Sequence, residues 1–172
     1  MDAVLRTATP EDRVAMTAIY NDAVVHSVAT FDLEPRDEDH YVPHLTSTRP
    51  GDHVVVAEAG GRVVGFAHSG TYRPRPAYDG TREVSIYLDE GVRGTGLGRR
   101  LYAELLARVD ADGIHTCLAV IALPNPASEA LHRAVGFERV GILREVGRKF
   151  DQWVDTAWWQ RMNPREAHRP GG

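Results

Sequence analysis

Apolar and polar positions change period several times along this chain, and each change marks an element. Val4-Leu5-Arg6 is a short extended run. Thr9 then offers a capping hydroxyl, Pro10 suits a first helical turn and Glu11-Asp12 complements the helix dipole, so a helix is expected to begin there. Met16, Ile19, Tyr20, Ala23 and Val24 follow at helical spacing and form one apolar face. No period holds across residues 26–36. A second helix is expected from Asp37 to Ser47, kinked or shortened by Pro43. Residues 53–58 and 62–67 are β-rich runs around Gly60-Gly61, which predicts an antiparallel hairpin. A proline-rich loop over 73–80 leads to a further strand, Glu83 to Leu88. A glycine-dense turn then opens the strongest helix, with Leu97, Leu101, Leu105 and Val109 in one stripe and Gly113 just past its end. Thr116 to Ala122 is a continuous apolar run, expected to be a strand covered on both faces. A helix from Pro126 to Val135, closed by Gly136, and two β-rich stretches, Phe137 to Val146 and Trp153 to Gln160, complete the pattern.

The order predicts a mixed α/β domain over residues 1–163, followed by a polar tail, 164–172, with two prolines and a terminal Gly-Gly. With 42% hydrophobic residues the chain can build a core without a staple. The 24 acidic and 20 basic residues leave a net charge of −4, which argues against nucleic acid as a partner. A single cysteine, Cys117, excludes an internal disulfide. No apolar run approaches the ~20 residues of a membrane span, and the N-terminal sequence is unlike a signal peptide, so a cytoplasmic protein away from membranes is expected.

The densest chemical signal is Arg93-Gly94-Thr95-Gly96-Leu97-Gly98-Arg99, between a strand and a helix. Alternate glycines let backbone N–H groups converge, and the helix that starts there adds its dipole, which suits a phosphate or pyrophosphate. A dinucleotide fingerprint starting at Gly94 needs glycine where Arg99 stands, and a Walker loop needs Gly-Lys followed by Ser or Thr. Neither spacing fits. The pattern Arg/Gln-x-x-Gly-x-Gly/Ala does fit, and it resembles the pyrophosphate loop of the GNAT superfamily of acyl-coenzyme A dependent N-acyltransferases. Asn125-Pro126-Ala127-Ser128-Glu129-Ala130-Leu131-His132, continuing to Gly136-Phe137, is similar to a second motif of that superfamily. Further stretches are similar to the phosphinothricin and methionine sulfone/sulfoximine acetyltransferase branch: Ile19 to Val24, Thr30 to Pro35, Tyr72 to Tyr78, Glu83 to Tyr87 and Arg144 to Phe150.

The resemblance implies a central, mostly antiparallel sheet, splayed where acetyl-coenzyme A enters, with helices on both faces. It also implies acetyl transfer to the α-amine of a small amino acid or analogue. The attacking amine must be neutral, and Glu83 stands where the family carries its catalytic glutamate; a cross-strand charge partner is the plainer alternative. His132 replaces the tyrosine of the general superfamily pattern; it is a candidate to assist deprotonation or to protonate the departing thiolate, and equally a structural histidine. Oxyanion stabilisation is expected from the backbone N–H of Tyr87 or Leu88, and Ile86 to Leu88 should pair with the pantetheine amides. Arg93, Gly94, Thr95, Gly96, Leu97, Gly98 and Arg99 are expected around the pyrophosphate. Asn125 is expected on the pantetheine arm or as a helix cap.

For the acceptor, Arg73 and Arg75 are candidate carboxylate clamps and Phe31 and Tyr78 candidate walls of the side-chain pocket; a solvated loop and plain core are the respective alternatives. Lys149 lies in a family-like segment without an assigned contact. Cys117 is expected in the core, and His40 and His44 lack the glutamate of a zinc-protease helix, so no metal is expected. The resemblance implies a homodimer, with Trp153, Trp158 and Trp159 as candidate apolar contact area. Two other readings remain: acetylation of a peptide, lysine or polyamine amine, against which the paired arginines speak, and a non-catalytic coenzyme A binding module.

Overall fold

The computed structural model describes residues 2–164, so the expected tail lies outside the described residues except for Pro164. Seven strands form one sheet: β1 (Val4–Thr7), β2 (Val54–Ala59), β3 (Arg62–Thr71), β4 (Thr81–Leu88), β5 (Thr116–Ala122), β6 (Glu138–Lys149) and β7 (Gln152–Met162). Their order is β1-β2-β3-β4-β5-β7-β6, antiparallel throughout except between β4 and β5. The helices are α1 (Arg13–His26), α2 (Val42–Leu45), α3 (Leu97–Ala111) and α4 (Pro126–Ala134).

Strand alternation sorts the core into two layers. On one face Val55, Ala57, Val64 and Val84 pack with Leu97, Leu101, Leu105 and Val109 of α3, the stripe legible in the sequence. On the other, Val54, Val56 and Phe66 pack with Met16, Tyr20 and Val24 of α1 and with Tyr41. The mixed α/β, mostly antiparallel and two-sided arrangement is the expected one. The base of β4 is anchored by Arg82, which is buried. Its Nε lies 2.8 Å from Asp52 Oδ1, and its Nη1 donates to the carbonyls of Asp79 (2.9 Å) and Thr81 (2.8 Å).

Three elements differ from expectation. The helix expected over Asp37–Ser47 is a 3-10 turn, Glu38–Tyr41, followed by the single turn of α2, because Pro43 has no N–H to give and is tolerated only in the first turn of α2. The last two strands are longer than predicted and meet in a two-residue turn, Phe150-Asp151, whose φ values of 51° and 58° are left-handed without glycine. Finally, β5 is not covered on both faces: Val120 is 38% exposed, since one edge of the strand borders a cleft.

Histidines pack on the α1 side of the sheet. The rings of His44 and His68 lie 4.6 Å apart, and His68 Nδ1 is shut away from solvent without a hydrogen-bond partner. Burial lowers the pKa of His44 and takes that of His68 down to about 3. His68 is therefore neutral in the folded protein and His44 takes up a proton less readily there, whereas in the unfolded chain both protonate near pH 6.5. Below that pH the unfolded chain takes up protons that the folded one refuses, so stability falls as pH drops from about 6.5 towards 3. The unfolding free energy from urea titrations should fall between pH 7.5 and 5.0. In His68→Phe that fall should shrink by roughly 2 kcal/mol, one proton over 1.5 pH units.

Candidate active site

The site is opened by a failure of strand pairing. β4 and β5 pair only through Thr81, Arg82 and Glu83 opposite Thr116, Cys117 and Leu118. Beyond that point β4 continues along β3 to Leu88, and β5 continues along β7 to Ala122, but the two no longer bond to each other. Between them lies a cleft of about 650 Å³. It is bordered by Val84 to Leu88 on one side and Val120 to Ala122 on the other, with α1 and its following loop at one face and the α3 and α4 N-termini at the other.

Backbone parity shows which groups of β4 face this cleft. Asp89 N–H donates to Val64 C=O (2.9 Å), and alternation back along an unbroken antiparallel ladder commits Tyr87, Ser85 and Glu83 to β3. The N–H and C=O groups of Val84, Ile86 and Leu88 therefore point away from β3; Val84 N–H closes the parallel ladder against Leu118, Leu88 C=O accepts from Arg93 Nη2 (3.3 Å), and the others face the gap. The even parity agrees with the parallel end, where Gly80 C=O accepts from Thr116 N–H (3.2 Å). Of the two donors left open in the sequence, Leu88 N–H faces the cleft, whereas Tyr87 N–H belongs to the ladder.

The glycine turn sits at one end. Gly94 (φ 75°) and Gly96 (φ 82°) both adopt left-handed backbone, and a Cβ on either would meet nothing within 4 Å, so glycine is required there by conformation rather than by crowding. Gly98 is closely packed, since a Cβ would come to 3.0 Å from Leu88 Cδ1, where α3 crosses the end of β4. Arg93, Gly94, Gly96, Gly98 and Arg99 border the cleft. Thr95 and Leu97 do not: Thr95 Oγ1 donates to Val92 C=O (2.7 Å) and closes the turn, and the Leu97 side chain is buried in the core. Asn125 borders the cleft and caps α4, its Oδ1 accepting from Ser128 N–H (3.1 Å), which is the cap alternative.

Glu83 is the last β4 residue paired with β5, at the base of the fork, and lies opposite Gly70 of β3. Its side chain is solvent-accessible, yet surrounding protein raises its carboxyl pKa above the ordinary value; the Arg73 guanidinium partly opposes this. Arg73 lies 5.0 Å over the Tyr72 ring, and Tyr72 meets Tyr78 edge to face. Arg75 is exposed on the same loop. Glu83, Arg73, Arg75 and Tyr78 are not among the residues that border the cleft; the Arg73 charge on Glu83 and the Tyr72–Tyr78 contact group three of them beside the root of the fork.

His132 borders the cleft but is buried, with both ring nitrogens engaged. The Ser128 carbonyl 2.8 Å from Nδ1 can only accept, so Nδ1 carries the proton and Nε2 accepts from the Tyr102 hydroxyl at 3.0 Å. Burial lowers its pKa, opposed in part by the Ser128 carbonyl. In this arrangement His132 has no unengaged nitrogen to offer a substrate.

Residues 26–36, without period in the sequence, supply a stretch of cleft border that sequence reasoning missed, just before Phe31, which it named. Ser27, Val28 and Ala29 border the cleft and lead to Phe31, 37% exposed. The Tyr20 hydroxyl donates to Asp32 (2.6 Å), with Thr30 Oγ1 2.7 Å away, and Asp32 pairs with Arg36. Lys149 now has a contact: its buried ammonium donates to Thr30 C=O (2.8 Å). Tyr20 and Asp32 lay in family-like stretches, but only the folded loop reveals their partnership.

Cys117 is buried and its thiol is pushed up to about 12. His40 stacks on Tyr20, and among the described residues no group of three or more His, Cys, Asp or Glu is arranged to hold a metal. The tryptophans separate: Trp153 is 63% exposed, but Trp159 is core, so the expected three-tryptophan contact area is not one surface. Among the described residues no helix is long and apolar enough to cross a membrane.

Comparison with known proteins agrees with the geometry. The chain is 38% identical to a phosphinothricin N-acetyltransferase of Streptomyces coelicolor (91% of this chain, 94% of that one). It is 39% identical to an L-methionine sulfoximine/L-methionine sulfone acetyltransferase of Pseudomonas aeruginosa (93% and 94%). Its fold is similar to a Sinorhizobium meliloti phosphinothricin acetyltransferase solved in complex with acetyl-CoA, with a TM-score of 0.90, 39% identity and coverage of 99% and 94%. A putative Salmonella typhimurium acetyltransferase solved with its cofactor acetyl-CoA gives 0.91, 31% identity and coverage of 100% and 99%. Residues 16–137 match the Acetyltransferase (GNAT) family, and the protein is accordingly a member of that family and an acetyl-transferring enzyme.

Proposed function

We propose that this enzyme transfers the acetyl group of acetyl-CoA to the α-amine of a small amino acid or amino-acid analogue, of the kind named for its phosphinothricin and methionine sulfoximine/sulfone relatives. The observation that carries the reading is Glu83 at the root of the fork with the Arg73 guanidinium beside it. Arg73 is close enough for its charge to act on the Glu83 carboxyl. A carboxylate held by Arg73, assisted by Arg75, thereby brings the amine on the same α-carbon towards Glu83. A polycationic acceptor has no comparable use for two arginines there.

The cleft suits acetyl-CoA for reasons internal to this chain. Val84 C=O, Ile86 and Leu88 N–H turn backbone donors and acceptors into it, and such groups require partners once a ligand shields them from water. The pantetheine arm, with its own amides, supplies them as an added strand does, and Asn125 borders the same path. Gly94, Gly96 and the first turn of α3, flanked by Arg93 and Arg99, offer N–H groups and positive charge to a pyrophosphate.

Bound there, acetyl-CoA supplies an activated acyl carbon. Glu83, as carboxylate, takes one proton from the substrate ammonium and leaves a neutral amine to form the new C–N bond. Leu88 N–H donates to the acyl oxygen as charge develops on it. The C–S bond breaks, and the second proton released by nitrogen is taken up by the departing sulfur. His132, with Nδ1 and Nε2 held by Ser128 and Tyr102, orders the α4 wall beside this path. We further propose a homodimer formed at the β6 edge, where Val140, Ile142 and Val146 are exposed with nearby Trp153.

Coenzyme A release with a panel of amino acids and analogues, a basic peptide and spermidine should show turnover on the amino acids; turnover confined to peptide or polyamine overturns the assignment. Glu83→Gln should lower kcat by about a hundredfold or more while acetyl-CoA still binds. Because the working form of Glu83 is the carboxylate, activity should fall as pH drops through a pKa above the ordinary carboxylate range, and that limb should vanish in the variant. Arg73→Ala and Arg75→Ala should act mainly on acceptor KM, raising it about tenfold, with the KM for acetyl-CoA little changed. Sedimentation at micromolar concentration should report a dimer, and Ile142→Asp a monomer.

A further inference from the structure

One strand glycine has no backbone reason to be glycine. Gly147, near the end of β6, has no left-handed φ, yet a Cβ on it would collide with the Phe31 ring, at 2.6 Å from Cδ2 and 2.7 Å from Cζ with Cε2 nearer still. Its hydrogen is therefore required by a single side chain across the chain fold. That side chain belongs to the loop whose Ser27, Val28 and Ala29 line the cleft.

The hairpin is shaped to make this contact. The β6–β7 register shifts between Leu143 and Gly147, leaving residues 144–146 as a bulge. Glu145, at φ 51°, donates its N–H to Asp155 Oδ1 at 2.7 Å, which fixes the bulge. Beyond it pairing resumes at Gly147 opposite Val154, and Lys149 reaches Thr30 C=O. The loop is held from the other side by Tyr20 through Thr30 and Asp32, and by Asn21, which bonds the backbone of Arg36 in both directions (2.8 Å each). Phe31 is thus braced between an anchored loop and a bare backbone surface.

We propose that Gly147 is a positioning residue that sets the acceptor side-chain pocket through Phe31, so that acceptor selectivity is written partly in β6, outside the residues that border the cleft. The inference rests on the acceptor assignment above, with Phe31, which follows the cleft-lining Ser27 to Ala29, taken as the side-chain wall that the family resemblance implies, and it names the element that controls that wall. Adding one methyl at Gly147 must displace the ring, and a change of one methylene in an apolar pocket shifts discrimination about 10- to 200-fold.

The test is the ratio of kcat/KM for methionine sulfone to that for alanine in the intact enzyme, with acetyl-CoA KM as control. Gly147→Ala should change the ratio by about tenfold and leave acetyl-CoA KM within about twofold. Phe31→Ala should also change the ratio, and Phe31→Ala/Gly147→Ala should match Phe31→Ala, because the only partner of the new methyl is gone. That pair carries the test even where Gly147→Ala alone does not fold. An unchanged ratio in Gly147→Ala, or a double variant whose ratio differs from that of Phe31→Ala, overturns the proposal while the acceptor assignment stands. If the wild type acetylates no amino acid, the assignment itself fails and this inference with it.

Discussion

Everything in this enzyme depends on two strands that pair for three residues and then part. A parallel pair normally continues until one strand ends, because each unpaired buried N–H or C=O carries a desolvation cost. Here that cost falls on Val84 C=O, Ile86 and Leu88 N–H, which face the gap, whereas Val84 N–H still bonds β5 and Leu88 C=O accepts from Arg93. The arrangement is tolerable because both strands keep their outer partners, β3 and β7, and because Arg82 is tied down at the point of divergence by Asp52 and the carbonyls of Asp79 and Thr81. Glu83, the next residue, inherits a rigid backbone at the root of the fork.

The fork also sorts chemistry by face. Side chains of β4 alternate, so Val84, Ile86 and Leu88 join the α3 layer while Tyr87 lies against Tyr20 and Phe66 on the α1 side. The proposed phosphate-binding features cluster at the α3 N-terminus, beyond the Leu88 end of β4; Glu83 lies towards the other end of that strand, with Arg73 on the loop before it. One eight-residue strand therefore spans the distance between the two substrates' sites. The formal charge of −4 conceals this local order, since the proposed anion-binding positions are all arginines.

Elements dominated by local chemistry were legible in the sequence. The α3 stripe, the Gly60-Gly61 hairpin, the capped start of α4 and the glycine turn each state their geometry within a few residues. What could not be read is what depends on distant partners. Val120 sits in a continuous apolar run, and its exposure follows from where β4 goes rather than from its neighbours. Residues 26–36 have no period because they are held by side chains of Tyr20, Asn21 and Lys149 rather than by a ladder or helix. The turn at Phe150-Asp151 lacks the glycine or asparagine that usually marks left-handed backbone. Likewise His132 could be placed in a motif, but its tautomer follows only from the Ser128 carbonyl and the Tyr102 hydroxyl.

These two kinds of element divide the work of the site. The proposed base and oxyanion donor sit on β4, in a sheet whose register leaves little freedom, so the reacting geometry proposed for them is set by the fold. The proposed acceptor wall sits on an irregular loop whose position is the balance of a few named contacts: Tyr20 and Asn21 from α1, Lys149 and the bare backbone of Gly147 from β6. Altering one such contact moves the wall without disturbing strand pairing or the glycine turn. A family built this way can change which amine it accepts by substitutions far along the chain from its base, while the chemistry at Glu83 and Leu88 stays the same. The loop's lack of regular structure is, on this reading, what keeps acceptor choice separable from catalysis.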